Sequence, residues 1–146
     1  MNRQPLFKKM LANDYTVLMT FVTPIALWAF FLFVYFFDSP QVLSTDVPLI
    51  FGALTVIAVA VLIWRMRFIN AIFEEGIETP GTITRIWFYR GRGSVNYTYT
   101  LQGQEYKSGS AVMRSKQTRE IVTGQPVTLI VDPSNPKRAL IRDLYI

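Results

Sequence analysis

YTVLMTFVTPIALWAFFLFVYFF, Tyr15–Phe37, and VPLIFGALTVIAVAVLIW, residues 47–64, lie side by side in the first half of the chain, and neither contains Lys, Arg, Asp or Glu. An apolar α-helix needs about 20 residues to cross a hydrocarbon core of roughly 30 Å, and both stretches approach or exceed that length. They predict a helical membrane hairpin. The first stretch holds thirteen Leu, Ile, Val or Phe residues. At roughly −0.3 to −0.6 kcal/mol each, they give an upper estimate of roughly −4 to −8 kcal/mol for insertion. A cleaved signal peptide is the rival reading. Its apolar region spans only about 7–15 residues and ends at small side chains, whereas Val34-Tyr35-Phe36-Phe37-Asp38 offers no such site. The helix is therefore expected to be retained. Pro24 removes one backbone donor inside it, and Thr20 and Thr23 are at hand to bond nearby backbone groups.

The flanks set the orientation. Arg3, Lys8 and Lys9 precede the first helix and Arg65 and Arg67 follow the second, while the connecting loop has no Lys or Arg. Basic residues favour the cytoplasmic side, so both termini are expected inside and the loop outside. Tyr15, Trp64 and the Phe36-Phe37 pair fall near helix ends, where aromatic rings favour the headgroup zone. Beyond Trp64 the run Arg65 to Glu75 keeps good helix formers and an apolar face of Met66, Ile69, Ile72 and Phe73. A helix from Val47 to Glu75 would be about 43 Å long. Its end is expected to protrude as a stalk, or to bend along the interface, and to stop at Gly76.

After Gly76 the apolar period changes from helical to alternating. Strands are expected at 79–89, 94–101, 104–108, 127–131 and 138–142, with 115–122 open between a short helix and a loop. In 94–101, Val95, Tyr97, Tyr99 and Leu101 share one face. Arg90-Gly91-Arg92-Gly93 and Gln102-Gly103 read as hairpin turns, and Asp132-Pro133-Ser134-Asn135-Pro136 as a rigid turn. Five short strands predict a small, partly closed antiparallel barrel. The expected organisation is a cytoplasmic segment at 1–14, transmembrane helices at 15–37 and 47–64, an external loop at 38–46, a helical stalk at 65–76 and a cytoplasmic β domain at 77–146.

Val95-x-Tyr97-x-Tyr99-x-x-x-Gly103-x-x-Tyr106, followed by Gly124-x-x-Val127-x-Leu129-x-Val131-Asp132-Pro133-x-Asn135-Pro136-x-x-Ala139, resembles a family of small bacterial membrane proteins classed as a domain of unknown function. The resemblance covers residues 81–141. It implies transmembrane helices joined to this kind of β domain and a bacterial inner membrane, and it implies no reaction. Val131 stands where that family frequently has an aromatic residue. By architecture alone the chain is also similar to membrane proteins that end in an oligonucleotide-binding-type barrel and organise membrane partners.

The chain of 146 residues has no Cys and no His. Disulfides, thiolate nucleophiles, Cys/His zinc sites and the commonest general base at neutral pH are excluded together. No enzyme activity and no cofactor are expected. Ser115 beside Lys116, with Ser108 and Ser110 nearby, lacks the glycine-flanked elbow of a hydrolase nucleophile. Asn96-Tyr97-Thr98 fits a glycosylation acceptor but falls on a strand expected inside the cell. The net charge is +5, and Arg85, Arg90, Arg92 and Lys107 are the candidate contacts for an anion or a partner. Trp87, Tyr89, Tyr97, Tyr99 and Tyr106 are expected to pack a core rather than to stack nucleic-acid bases. Gly52, Ala53, Ala58 and Ala60 would let another helix approach the second span closely. These features point to a membrane-anchored interaction or adaptor module, with another membrane protein, a second copy or membrane lipid as partner. Anionic lipid or single-stranded nucleic acid on the basic face is the alternative, nucleic acid being the less expected, and an immunity or inhibitor protein is a third.

Overall fold

The computed structural model describes residues 4–37 and 46–146. In chain order these form α1 (Phe7–Asn13), α2 (Tyr15–Phe37) and α3 (Asp46–Glu75), then β1 (Ile77–Tyr89), β2 (Arg92–Leu101) and β3 (Gln104–Met113). A one-turn α4 (Lys116–Arg119), β4 (Pro126–Val131), β5 (Ala139–Ile141) and a 3-10 turn (Arg142–Leu144) follow. The loop expected at 38–46 lies, apart from Asp46, outside the described residues, as does Arg3. The chain divides into two compact units: residues 16–66, and the N-terminal residues through Tyr15 together with 67–146.

α2 and α3 are both long and apolar enough to cross a membrane. Neither behaves as the buried helix of a soluble core, because none of the most apolar stretch of α3 and only 6% of that of α2 is covered. Such a continuous apolar surface is foreign to water-soluble monomers. Within this unit the helices meet through aromatic and hydroxyl groups. The Trp28 indole N–H donates to Thr55 Oγ1 at 3.0 Å, and Phe31 and Phe51 pack edge to face with centroids 6.2 Å apart. Pro24 sits inside α2, and the Thr20 hydroxyl donates to the Thr16 carbonyl at 2.8 Å.

The other unit is a five-stranded antiparallel sheet of order β3-β2-β1-β4-β5, curled into a nearly closed barrel. Side chains of β2 and of the edge strand β3 reach the backbone at the opposite edge. The Tyr97 hydroxyl on β2 donates to the Ala139 carbonyl on β5 at 2.6 Å, and the Ser108 hydroxyl on β3 donates to the Lys137 carbonyl at 3.1 Å. Both β-hairpins turn on two residues with positive φ, Arg90 (45°) with Gly91 (86°) and Gln102 (52°) with Gly103 (80°). That pair of conformations matches the twist of the flanking strands. β3 runs to Met113, five residues beyond the strand expected from sequence, because its ladder with β2 continues unbroken to Arg92 paired with Met113, with Ser110 and Val112 buried on the inner face. Residues 115–122 resolve into α4, whose start carries a capping box between Ser115 and Thr118.

Two segments set apart by sequence are packed into the barrel domain. From 65–76, Ile69, Ile72 and Phe73 are fully buried, so the end of α3 is a wall of the core. From 1–14, Met10, Asn13 and Asp14 are buried, the Leu6 amide donates to the Tyr145 carbonyl at 2.8 Å, and Asp14 forms a bridge with Val112. A barrel this small leaves one end uncovered, and these two pieces of helix cover apolar surface that the strands alone would expose. α3 does end before Gly76. A Cβ at Gly76 would fall 2.3 Å from Ile130 Cγ2 and 2.2 Å from the Ile72 carbonyl, so close packing demands the glycine there.

Candidate functional site

β1 is the strand that builds the exposed site. Its first part buries Thr79, Gly81 and Ile83 and turns the residues between them outward. An unbroken alternation would then send Arg85, Trp87 and Tyr89 inward. The ladder with β2 instead skips a residue: Ile83 pairs with Tyr97, and the next partner of β2, Asn96, is Arg85. Thr84 is thus a bulge, which reverses sidedness downstream. Ile86 and Phe88 take the inner face, and Trp87 and Tyr89 emerge with 52% and 48% of their surface exposed. The two rings stack at 6.1 Å and 11°, and the Arg90 guanidinium lies over the Tyr89 ring at 5.3 Å.

The expectation that five aromatics pack the core therefore divides. Tyr97 and Tyr99 are buried and Tyr106 stacks on Tyr99 at 5.8 Å, whereas Trp87 and Tyr89 face out. Of the basic candidates, Arg85 pairs with Asn96 on β2, and Lys107 on β3 pairs with Thr98. Arg92 pairs with Tyr89 and donates from Nη1 to the Tyr15 hydroxyl at 3.4 Å, its guanidinium 5.8 Å from the Tyr15 ring centre. Cross-strand partners share a face. Arg85, Trp87, Tyr89, Arg92 and Lys107 are thereby brought to one outer face of β1, β2 and β3, with Arg90 at its hairpin tip. Sequence reasoning missed Tyr15 as a member of this group, because it precedes Arg92 by 77 positions.

Among the small residues of α3, Ala53 and Ala60 are exposed one heptad apart, and Gly52 and Ala58 are half-buried. They occupy more than one face and do not form a single stripe. The turn residues act locally, as their types imply. The Asp132 carboxylate accepts from the Ser134 amide at 2.8 Å, the Ser134 hydroxyl at 2.5 Å and the Asn135 amide at 3.3 Å, with Arg138 at 3.9 Å. Partial burial works against its charge, but those donors and the arginine outweigh it and hold the carboxyl below its ordinary range. Pro133 and Pro136 flank this capped turn, and the Pro136 carbonyl accepts from the Tyr99 hydroxyl. Burial first, then the neighbouring phenols of Tyr97 and Tyr106, push Tyr99 up to about 12.

Small clefts lie elsewhere on the domain. One of about 350 Å³ is lined by residues that include Pro80, Thr98, Tyr99 and Glu105, and one of about 190 Å³ by residues that include Gln117, Ile121 and Asp143. They sit at or below the small end of ligand pockets. No group of three or more acidic, His or Cys residues able to hold a metal occurs among the described residues.

Two helices fit for a membrane, joined to a small antiparallel barrel, define a class of architecture. Within it, residues 79–144 match a family model described as Domain of unknown function (DUF3592), from β1 through the closing 3-10 turn. That match agrees with the kind of family the sequence resembles. No curated protein and no solved structure matches the chain.

Proposed function

We propose that the protein is a membrane-anchored, non-enzymatic interaction module, a subunit or regulator of a larger membrane complex in the cytoplasmic membrane of a bacterium. The observation that carries this reading is the shared domain: the residues that lead into α2 and those that leave α3 are packed into one folded unit. One folded unit lies on one side of a bilayer, so helices that cross it do so as a hairpin. Lys8, Lys9, Arg65 and Arg67 favour the cytoplasm as that side. A small domain fastened at two points is suited to presenting a face rather than enclosing a substrate. Its outer face combines Trp, Tyr and Arg, the residue types that dominate binding hot spots. Lys107 on that face and the exposed Ala53 and Ala60 of α3 are the surfaces assigned to another membrane protein or a second copy.

A photo-crosslinking side chain placed at Lys107, and separately at Ala60, tests this in native membranes. A single adduct of discrete mass from either position is expected. Only monomer from both would overturn the reading. The reading in which the basic face meets anionic lipid is favoured by one specific contact, that of Arg92 with Tyr15.

A further inference from the structure

We infer that the β1–β2 hairpin tip is a second membrane anchor, which seats Trp87 and Tyr89 in the headgroup layer and binds anionic lipid through Arg90, Arg92 and Arg114. The inference rests on the proposed membrane hairpin and deepens its lipid contact. Tyr15 is the first residue of the apolar helix α2, so it marks the level at which the chain enters the hydrocarbon. Arg92 touches it, with Nη1 3.4 Å from the phenol oxygen. The hairpin tip is therefore at headgroup level wherever α2 enters the bilayer.

Chemistry at the tip suits that level. Tyr89 pairs directly with Arg92, and Trp87 is two residues further along β1, roughly 7 Å away by strand rise. Both rings are about half exposed and stacked on each other, which in water leaves a large apolar area unprotected. Trp and Tyr have an apolar body and one polar atom, and they favour the boundary between lipid and water for that reason. Arg90 is exposed over the Tyr89 ring, and the Arg114 amide donates to the Gly91 carbonyl at 2.8 Å, which puts a third arginine at the same turn. A planar guanidinium can bond two phosphate oxygens at once. A single-stranded nucleic acid would offer the same phosphates to the same residues, but where α2 enters a membrane as proposed, lipid is the phosphate source that lies beside Tyr15.

The test uses the full chain reconstituted in vesicles, with Trp28→Phe and Trp64→Phe leaving Trp87 as the one tryptophan. Vesicles of phosphatidylcholine, with and without phosphatidylglycerol, carry bromine at shallow or deep acyl carbons. Quenching of Trp87 by shallow bromine and its shielding from acrylamide are expected, both stronger with phosphatidylglycerol. Arg90→Ala and Arg92→Ala should each lower the docked-to-undocked ratio about fivefold in the anionic vesicles. Trp87 open to acrylamide and untouched by bromine in both vesicle types would overturn the inference. So would a Trp87 that responds to an added oligonucleotide and not to lipid. A companion protein retaining only Trp28 separates the two readings: Trp28 quenched by deep bromine while Trp87 is not leaves the membrane hairpin standing and removes the anchor. Trp28 without quenching removes both.

Discussion

Asn13 spends its whole side chain on holding the ends of the domain together. Its amide nitrogen donates to the Leu144 carbonyl at 2.7 Å and to Gln117 Oε1 at 2.8 Å, and its oxygen accepts from the Ser115 hydroxyl at 2.6 Å. Next to it the buried Asp14 accepts from the Tyr145 hydroxyl at 2.9 Å. Asn13→Ala would leave buried partners unsatisfied, and about 1–3 kcal/mol of stability should be lost in denaturant titrations. Tyr99 gives a prediction in pH. Its phenol titrates at about 12 in the folded domain against an ordinary 10.0. An unfolded chain therefore releases this proton first, so the contribution is intact below pH 10 and is lost as pH rises from there through 12. Denaturation midpoints should fall across that window, and Tyr99→Phe should flatten the fall. The clasp was not legible at residues 13 and 14, whose side-chain partners named here lie more than a hundred positions away. The rigid turn at Asp132 was legible, because every donor to its carboxylate but Arg138 lies within three residues of it.

At the scale of elements, alternation and turn chemistry located all five strands to within a few residues, except at the end of β3. Those signals are local. The bulge at Thr84 is not, because it occurs just where β1, already paired with β2 from Gly81, loses β4 on its other edge. β4 pairs with β1 only through Thr82, beyond which the Gly124 and Gln125 backbone takes up the Ile83 carbonyl and amide. A periodicity that looks regular in sequence from Ile83 to Tyr89 thus changes faces midway, and the two aromatics that define the exposed site were assigned to the core. The second hairpin offers a simple check of turn chemistry. Gln102 adopts a φ of 52°, which asparagine tolerates better. Gln102→Asn should stabilise the domain by on the order of 0.5 kcal/mol, read as a higher melting temperature.

For the whole molecule, the decisive expectation concerns what counts as a domain. Met10, Ile69, Ile72 and Phe73 come from outside 77–146 and are each at least 97% buried. Burial of four such side chains is worth roughly 6–12 kcal/mol, comparable to the entire stability of a small domain. A fragment of residues 77–146 should therefore show no cooperative thermal transition, whereas residues 4–15 linked to 67–146 should regain one. Circular dichroism on both proteins decides this. The sequence marked the apolar face of the α3 extension but not what it would face, since no pattern within one segment names its tertiary partner.

The clasp at Asn13 also has a consequence for how the protein is made. A ribosome delivers Asn13 131 residues before Leu144, and on the proposed hairpin topology both spans would have to leave the translocon in the interval. Completion of the fold then requires that two strands of polypeptide meet again in the same compartment. On that topology a chain with one span threaded the wrong way would hold residues 4–15 and the barrel in different compartments, and the apolar surface that Met10 covers would be open to proteolytic surveillance. If α2 and α3 cross a bilayer as proposed, folding of the barrel unit would in this way act as a proofreading step on insertion.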